Sequence, residues 1–279
     1  MKRMLTLGDL RREINGQPLA IDKHALDAIC VSCNAAEFRA GIMEEIAAER
    51  QPVELVVENG VGVISVQGVI VKRPSILQAI MGGVCLQSDV AEQLDQAFSQ
   101  PLSCLVLRID SPGGVHAGTP ELATRLYAAK GKATFPIVAM VEGMAASAAY
   151  WLASQCDVVC LTEASQVGSI GCIATVVDST RAAQNEGYDI RTFATDSRKT
   201  GIGPESDRSM QAQVDRATAS FRAAVARGRE MTVDQVAALP STEMFTGQDA
   251  VRVGLADEVT TFDSIMSRYA QKPKPAAES

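Results

Sequence analysis

Between residues 61 and 193, short runs of apolar, β-branched residues alternate with longer stretches of helical spacing. The run Val61-Gly-Val-Ile-Ser-Val-Gln-Gly-Val-Ile-Val71 is punctuated by Gly62 and Gly68, which predicts a buried strand pair or a bent strand. Residues 88–98 predict a helix with Ser88 as cap, 104–109 a buried strand, and 110–114 a tight loop at its C-terminal end. A helix follows over 119–130 with Pro120 in its first turn, then a strand over 136–141. Residues 143–154 are alanine-rich and read as helix from the start. Beyond them the pattern predicts a strand at 157–161, a glycine-bounded turn at 167–171 and a strand over 172–177. A helix near 179–186 and a strand at 190–193 complete the alternation, which is that of stacked βα units in one layered α/β domain.

The flanks differ. Residues 8–50 show helical spacing (Leu26, Ile29 and Cys30, then Ile42, Ile46 and Ala47) closed by Gln51-Pro52, predicting a helical N-terminal extension over 1–52. After a polar loop at 196–205, Met210, Val214, Ala217, Phe221 and Val225 mark a long helix to about Arg229. A short helix at 233–239 and one over 246–257, ended by Gly254, close a main domain spanning 53–265. Residues 266–279, with Lys272-Pro-Lys-Pro, read as a disordered tail.

Composition narrows the function. A chain of 279 residues buries about three quarters of its unfolded surface. Net charge −7 and a pI near 5.0 exclude a sequence-independent grip on nucleic acid. No apolar run reaches the roughly 18 residues of a membrane span, so a cytoplasmic protein is expected. The seven cysteines are an odd number, mostly in apolar contexts, which predicts buried thiols. Cys30-Val-Ser-Cys33, with His24 upstream, lacks a second pair, so neither metal nor cofactor is expected.

The candidate chemistry gathers at predicted strand ends, where open α/β layers place their sites. Ser147 is a single hydroxyl among Ala145, Ala146, Ala148 and Ala149, at the mouth of a predicted helix whose N–H groups and dipole favour a nucleophile attacking a carbonyl. On that stretch alone a space-filling serine fits as well. Gly113-Gly114 and Gly168–Gly171 would let backbone N–H groups approach a ligand. A base is then needed. The two histidines are His24, in the extension, and His116, which no obvious carboxylate orients. Lys199 serves instead if burial lowers its pKa from about 10.4 to about 7–8, roughly 4 kcal/mol of differential desolvation.

Asp110-Ser-Pro-Gly-Gly114, Gly143-Met-Ala-Ala-Ser147 through Ser154, Val167-Gly-Ser-Ile-Gly171, Ser197-Arg-Lys199 and Phe245-Thr-Gly-Gln through Asp257 resemble, in order, the signal peptide peptidase A family of Ser–Lys peptidases. Within it, the N-terminal extension is similar to that of the head maturation proteases of tailed phages and prophages. The resemblance implies a Clp protease/crotonase-like fold, Ser147 as nucleophile and Lys199 as general base. It implies an oxyanion hole from the N–H groups of Gly114 and Ala148, and Ser169 holding the lysine amine. Capsid scaffold or portal protein, and the chain itself, are the implied substrates. A ring-forming homo-oligomer, perhaps a tetramer or octamer, is implied too. Three rivals stand beside this reading: a housekeeping peptidase for leftover signal peptides, an acyl-CoA hydratase or isomerase on the same fold, and a non-catalytic assembly protein that kept the fold. The second would need a carboxylate pair near Gly113-Gly114, and none is evident; the third predicts that an active-site-directed acylating probe labels nothing.

Overall fold

The computed structural model describes residues 18–21, 53–73, 84–176, 178, 180–189 and 191–270. Strands β1 (Leu19–Ile21), β2 (Val56–Glu58), β3 (Val61–Gln67), β4 (Val69–Val71) and β5 (Val84–Leu86) lead to helix α1 (Gln87–Phe98). Next come β6 (Cys104–Ser111), β7 (Gly113–Val115) and α2 (Thr119–Lys130), then β8 (Ile137–Ala146) and α3 (Ala148–Ala153). β9 (Val158–Leu161), β10 (Gln166–Gly168) and α4 (Thr180–Asn185) follow, and a 3₁₀ turn at Ser197–Thr200 precedes α5 (Pro204–Gly228). The chain closes with α6 (Val233–Ala238), β11 (Met244–Thr246), α7 (Gly247–Arg252), β12 (Glu258–Val259) and α8 (Phe262–Tyr269).

The stacked βα units predicted from the alternation are present. The larger sheet has the order β11-β10-β8-β6-β3-β2, with β9 also on β8 and β12 on β9. Its central strands β3, β6, β8 and β10 run parallel. Two strands leave it for a smaller sheet of order β1-β7-β4-β5. β3 continues into β4 past Gly68, and β6 into β7 past Pro112. The segment 110–114 is therefore not a loop: it is the crossing from one sheet to the other.

Side-chain alternation along β6 shows how the sheet is covered on both faces. Leu105, Leu107 and Ile109 enter the main core with Tyr150, Trp151 and Phe221. Cys104 and Val106 face a second core with Val138, Met140, Cys160 and Ile265. Ile265 comes from α8, which continues to Tyr269.

Other sequence expectations need correcting. Residues 19–21 form a paired strand, although the spacing over 8–50 suggested helix; the rest of that segment, His24, Cys30 and Cys33, and the tail from 271, lie outside the described residues. Helix α1 starts one residue early with Leu86 as cap, and Ser88 Oγ bonds Asp89. Residues 172–176 are not a strand, Ile173 forming an isolated bridge to Leu19 of β1; 191–193 are likewise not a strand. Gly143–Ala146 extends β8 rather than opening a helix.

Candidate active site

The site is built at the C-terminal end of β8. Opposite β6 the register shifts, Ile109 facing Val141 but Ser111 facing Ala145, so β8 carries extra residues around Gly143. Asp110 stabilises this bulge: its Oδ1 accepts the Met144 N–H at 3.2 Å, while Ser165 Oγ accepts that of Gly143 at 2.9 Å. A Cβ on Gly143 (φ +110°) would lie 2.4 Å from Asp110 Oδ1, which is why glycine stands there.

Past the bulge, Met144–Ala146 pairs with β10, and the chain turns sharply at Ser147 into α3. Ser147 has φ +53° and ψ −117°, a region that costs an L residue about 1–3 kcal/mol. Its N–H donates to the Gly168 carbonyl (2.9 Å) and its carbonyl accepts from Trp151 (2.8 Å), so bonds on both sides hold the turn. Ser147 Oγ donates to the Gly171 carbonyl at 3.3 Å, and the residue is fully buried. Ser169 shares the strain, with φ +54°, and its N–H donates to Glu243 at 2.9 Å. These two serines are half of the four non-glycine residues with positive φ among the described residues, so backbone strain concentrates here. No sequence pattern announced it.

β7 runs alongside the elbow. A Cβ on Gly113 (φ +95°) would stand 2.8 Å from the Ala146 oxygen and 3.0 Å from Ala148 N. One on Gly114 would meet the Ile70 oxygen at 1.9 Å. Ser147, Ala148 and the double glycine thus lie together. Gly114 is, however, flanked by Ile70 on one side and Ala20 on the other.

Lys199 is not brought to them. It lies exposed in the 3₁₀ turn, and among the described residues no hydrogen bond joins its Nζ to Ser147 or Ser169. The neighbouring Arg198 is committed to Asp196, whose carboxyl it holds well below the usual carboxylate range. A cavity of about 220 Å³ touches Arg198, Gly201, Ser206, Asp207, Met210 and Val176. A second, of about 420 Å³, shares Val176, Asp207 and Met210 and reaches Cys172 and Ile173, just beyond the Ser147 acceptor Gly171. A groove along α5 therefore leads from the lysine turn to the neighbourhood of the serine.

His116 packs against Trp151 with ring centres 5.7 Å apart; burial lowers its pKa from 6.5, and its Nε2 has no hydrogen-bond partner. The thiols of Cys85, Cys104 and Cys160 are pushed up to about 12 by burial, and that of Cys172 to about 11, as suits inert core residues. No cluster of potential metal ligands exists among the described residues. None of their helices is long and apolar enough to cross a membrane.

The structure thus sets a strained serine between a parallel strand and a short helix, with a glycine strand beside it, and the sequence places the chain in a family. Residues 129–274 match the model of Peptidase family S49, and this chain belongs to that family. Among its relatives, Protease 4 of Salmonella typhi is 30% identical over 66% of this chain and 31% of its own length. The Head-tail preconnector protein GP5 of Enterobacteria phage P21 is 28% identical over 94% of this chain and 52% of its own. The Capsid assembly protease C of Escherichia phage lambda is 30% identical, over 77% and 50%. The chain thus spans about half or less of these relatives' lengths. Among solved structures, a ClpP1 mutant from Listeria monocytogenes aligns at TM-score 0.46 and 11% identity, covering 73% of this chain and 94% of that one.

Proposed function

We propose that this chain is a serine endopeptidase in which Ser147 is the nucleophile and Lys199 the general base, and that it processes proteins of a phage or prophage head. The observation that carries the reading is the elbow: a serine held at φ +53° beside Gly113 and Ala148 N. In the proposed reaction the neutral Lys199 amine takes the hydroxyl proton as Oγ attacks the peptide carbonyl. The N–H groups of Gly114 and Ala148 stabilise the oxyanion, and Ser169 orients the amine. The ammonium then protonates the departing amine, and water, deprotonated by the same lysine, releases the acyl group.

Lys199 is exposed in the isolated chain, so the dyad forms only when the 196–203 turn moves along the α5 groove or a neighbouring protomer supplies the amine. A homo-oligomeric ring would do the latter and would exclude water from the amine. The head-protein reading, with scaffold, portal or the chain itself as substrate, draws on the phage relative that matches 94% of the chain, against 66% for Protease 4. It places the protein in the host cytoplasm or the procapsid.

The test is to incubate wild type, Ser147→Ala and Lys199→Ala with a candidate scaffold protein and map the fragments by mass. Each substitution should lower cleavage by about a thousandfold. Cleavage by Lys199→Ala equal to wild type would reject the assigned base.

A further inference from the structure

Strand β1 is short, buried and held along both edges. It runs antiparallel to β7, with Leu19 opposite Val115, Ala20 opposite Gly114 and Ile21 opposite Gly113. On its other edge Leu19 and Ile173 exchange both backbone hydrogen bonds, at 2.7 and 2.9 Å. A residue in an antiparallel strand points its N–H and C=O the same way, so those of Leu19 face Ile173 and those of Ala20 face Gly114. The Ala20 oxygen lies 2.3 Å from where a Gly113 Cβ would begin, and Ala148 N lies 3.0 Å from that same point. An extended segment therefore lays a backbone carbonyl beside Gly113, close to where the Ser147 elbow presents Ala148 N. Ser147 itself is fully buried.

We propose that β1 is an internal pseudosubstrate. It occupies the track on which a peptide adds as a strand between Gly113–Val115 and Ile173, and it must be displaced before substrate enters. This rests on the peptidase reading of Ser147. Backbone pairing on both edges recognises any extended chain, which suits a processing enzyme, and side chains supply the selectivity. Beside Ile173 lies the 420 Å³ cavity, where Ala174, Val176, Met210 and Val214 stand with Asp207 and Gln211 and offer a mixed apolar and polar subsite. A tethered occupant competes at an effective concentration of about a millimolar, so substrate gains entry only where it is locally concentrated.

Hydrogen exchange, read by mass spectrometry on the full Ser147→Ala chain, tests this without turnover. A synthetic peptide copying residues 16–23 at millimolar concentration should raise exchange at 19–21 at least tenfold while β3 and β6 stay protected. No rise at 19–21 overturns the proposal. In a second arm, a Leu-Ala phosphonate labels Ser147 in wild type and in Ala20→Pro, which lacks the N–H facing Gly114. Labelling about tenfold faster in Ala20→Pro supports the proposal, and equal or slower labelling overturns it. The labelling rates are compared only where wild type is labelled, so the two readings fail separately: exchange that rises with no labelling of either protein keeps the displaced strand and rejects the nucleophile. Labelling with unchanged exchange does the reverse.

Discussion

Ser147 holds a backbone conformation that glycine adopts at no steric cost, so the site stores strain that a stability measurement can read. Replacing it with glycine removes the hydroxyl and the strain together, whereas alanine removes the hydroxyl alone. In urea unfolding, Ser147→Gly should be more stable than Ser147→Ala by about 1 kcal/mol, with both inactive. Equal stability would mean that the elbow is relaxed. Gly113 makes the opposite prediction. A methyl group there meets three backbone atoms at 2.3–3.0 Å and also demands a positive φ. Gly113→Ala should therefore lose more than about 2 kcal/mol of stability, read from the urea midpoint, together with all hydrolysis.

At the scale of elements, the segment at 245–257 anchors helix α3, which follows Ser147. Tyr150 OH donates to the Leu255 carbonyl at 2.8 Å inside the core. Tyr150→Phe leaves that carbonyl unpaired and should cost about 1–3 kcal/mol in the same unfolding measurement. Two residues on, Asp257 pairs with Arg229 and accepts the Val159 N–H at 2.7 Å. Burial alone would raise its pKa, but the Arg229 guanidinium and that N–H outweigh it and hold the carboxyl below its ordinary value. The folded state then binds fewer protons than the unfolded one, so this contribution is complete above about pH 4 and fades as pH falls through the folded value. Thermal melts below pH 4 should show a shallower acid limb for Asp257→Asn than for wild type.

Local pattern made some of this legible in the sequence. Pro120 and the 119–130 spacing, the Met210–Val225 stripe and the β-branched runs at 61–71 and 104–109 predicted elements that the fold contains. Ser147, Gly113, Gly114 and Ala148 were identified as neighbours through order and resemblance. What escaped depends on long-range pairing. Alanine propensity argued for helix at 143–146, but pairing with β10 and the Asp110-supported bulge keep that segment extended. The strand at Leu19–Ile21 exists only because Gly113–Val115 and Ile173 receive it, and no three-residue pattern announces such a partnership.

For the whole molecule, Lys199 is exposed and Ser147 buried, so the proposed dyad needs either a movement of the 196–203 turn or a neighbouring protomer. If a neighbouring protomer supplies the base, inactive Ser147→Ala and Lys199→Ala chains should regain up to about a quarter of wild-type cleavage when mixed under conditions that allow subunit exchange. If the turn folds back within one chain, the mixture stays inactive. Both outcomes presuppose that Ser147 carries the covalent intermediate, and one measurement addresses that directly. The full chain is treated with a serine-directed acylating or phosphonylating probe, and the modified peptide is located by mass. A single adduct on Ser147, absent from Ser147→Ala, is the predicted result. An adduct on another residue, or undiminished labelling of Ser147→Ala, would contradict it.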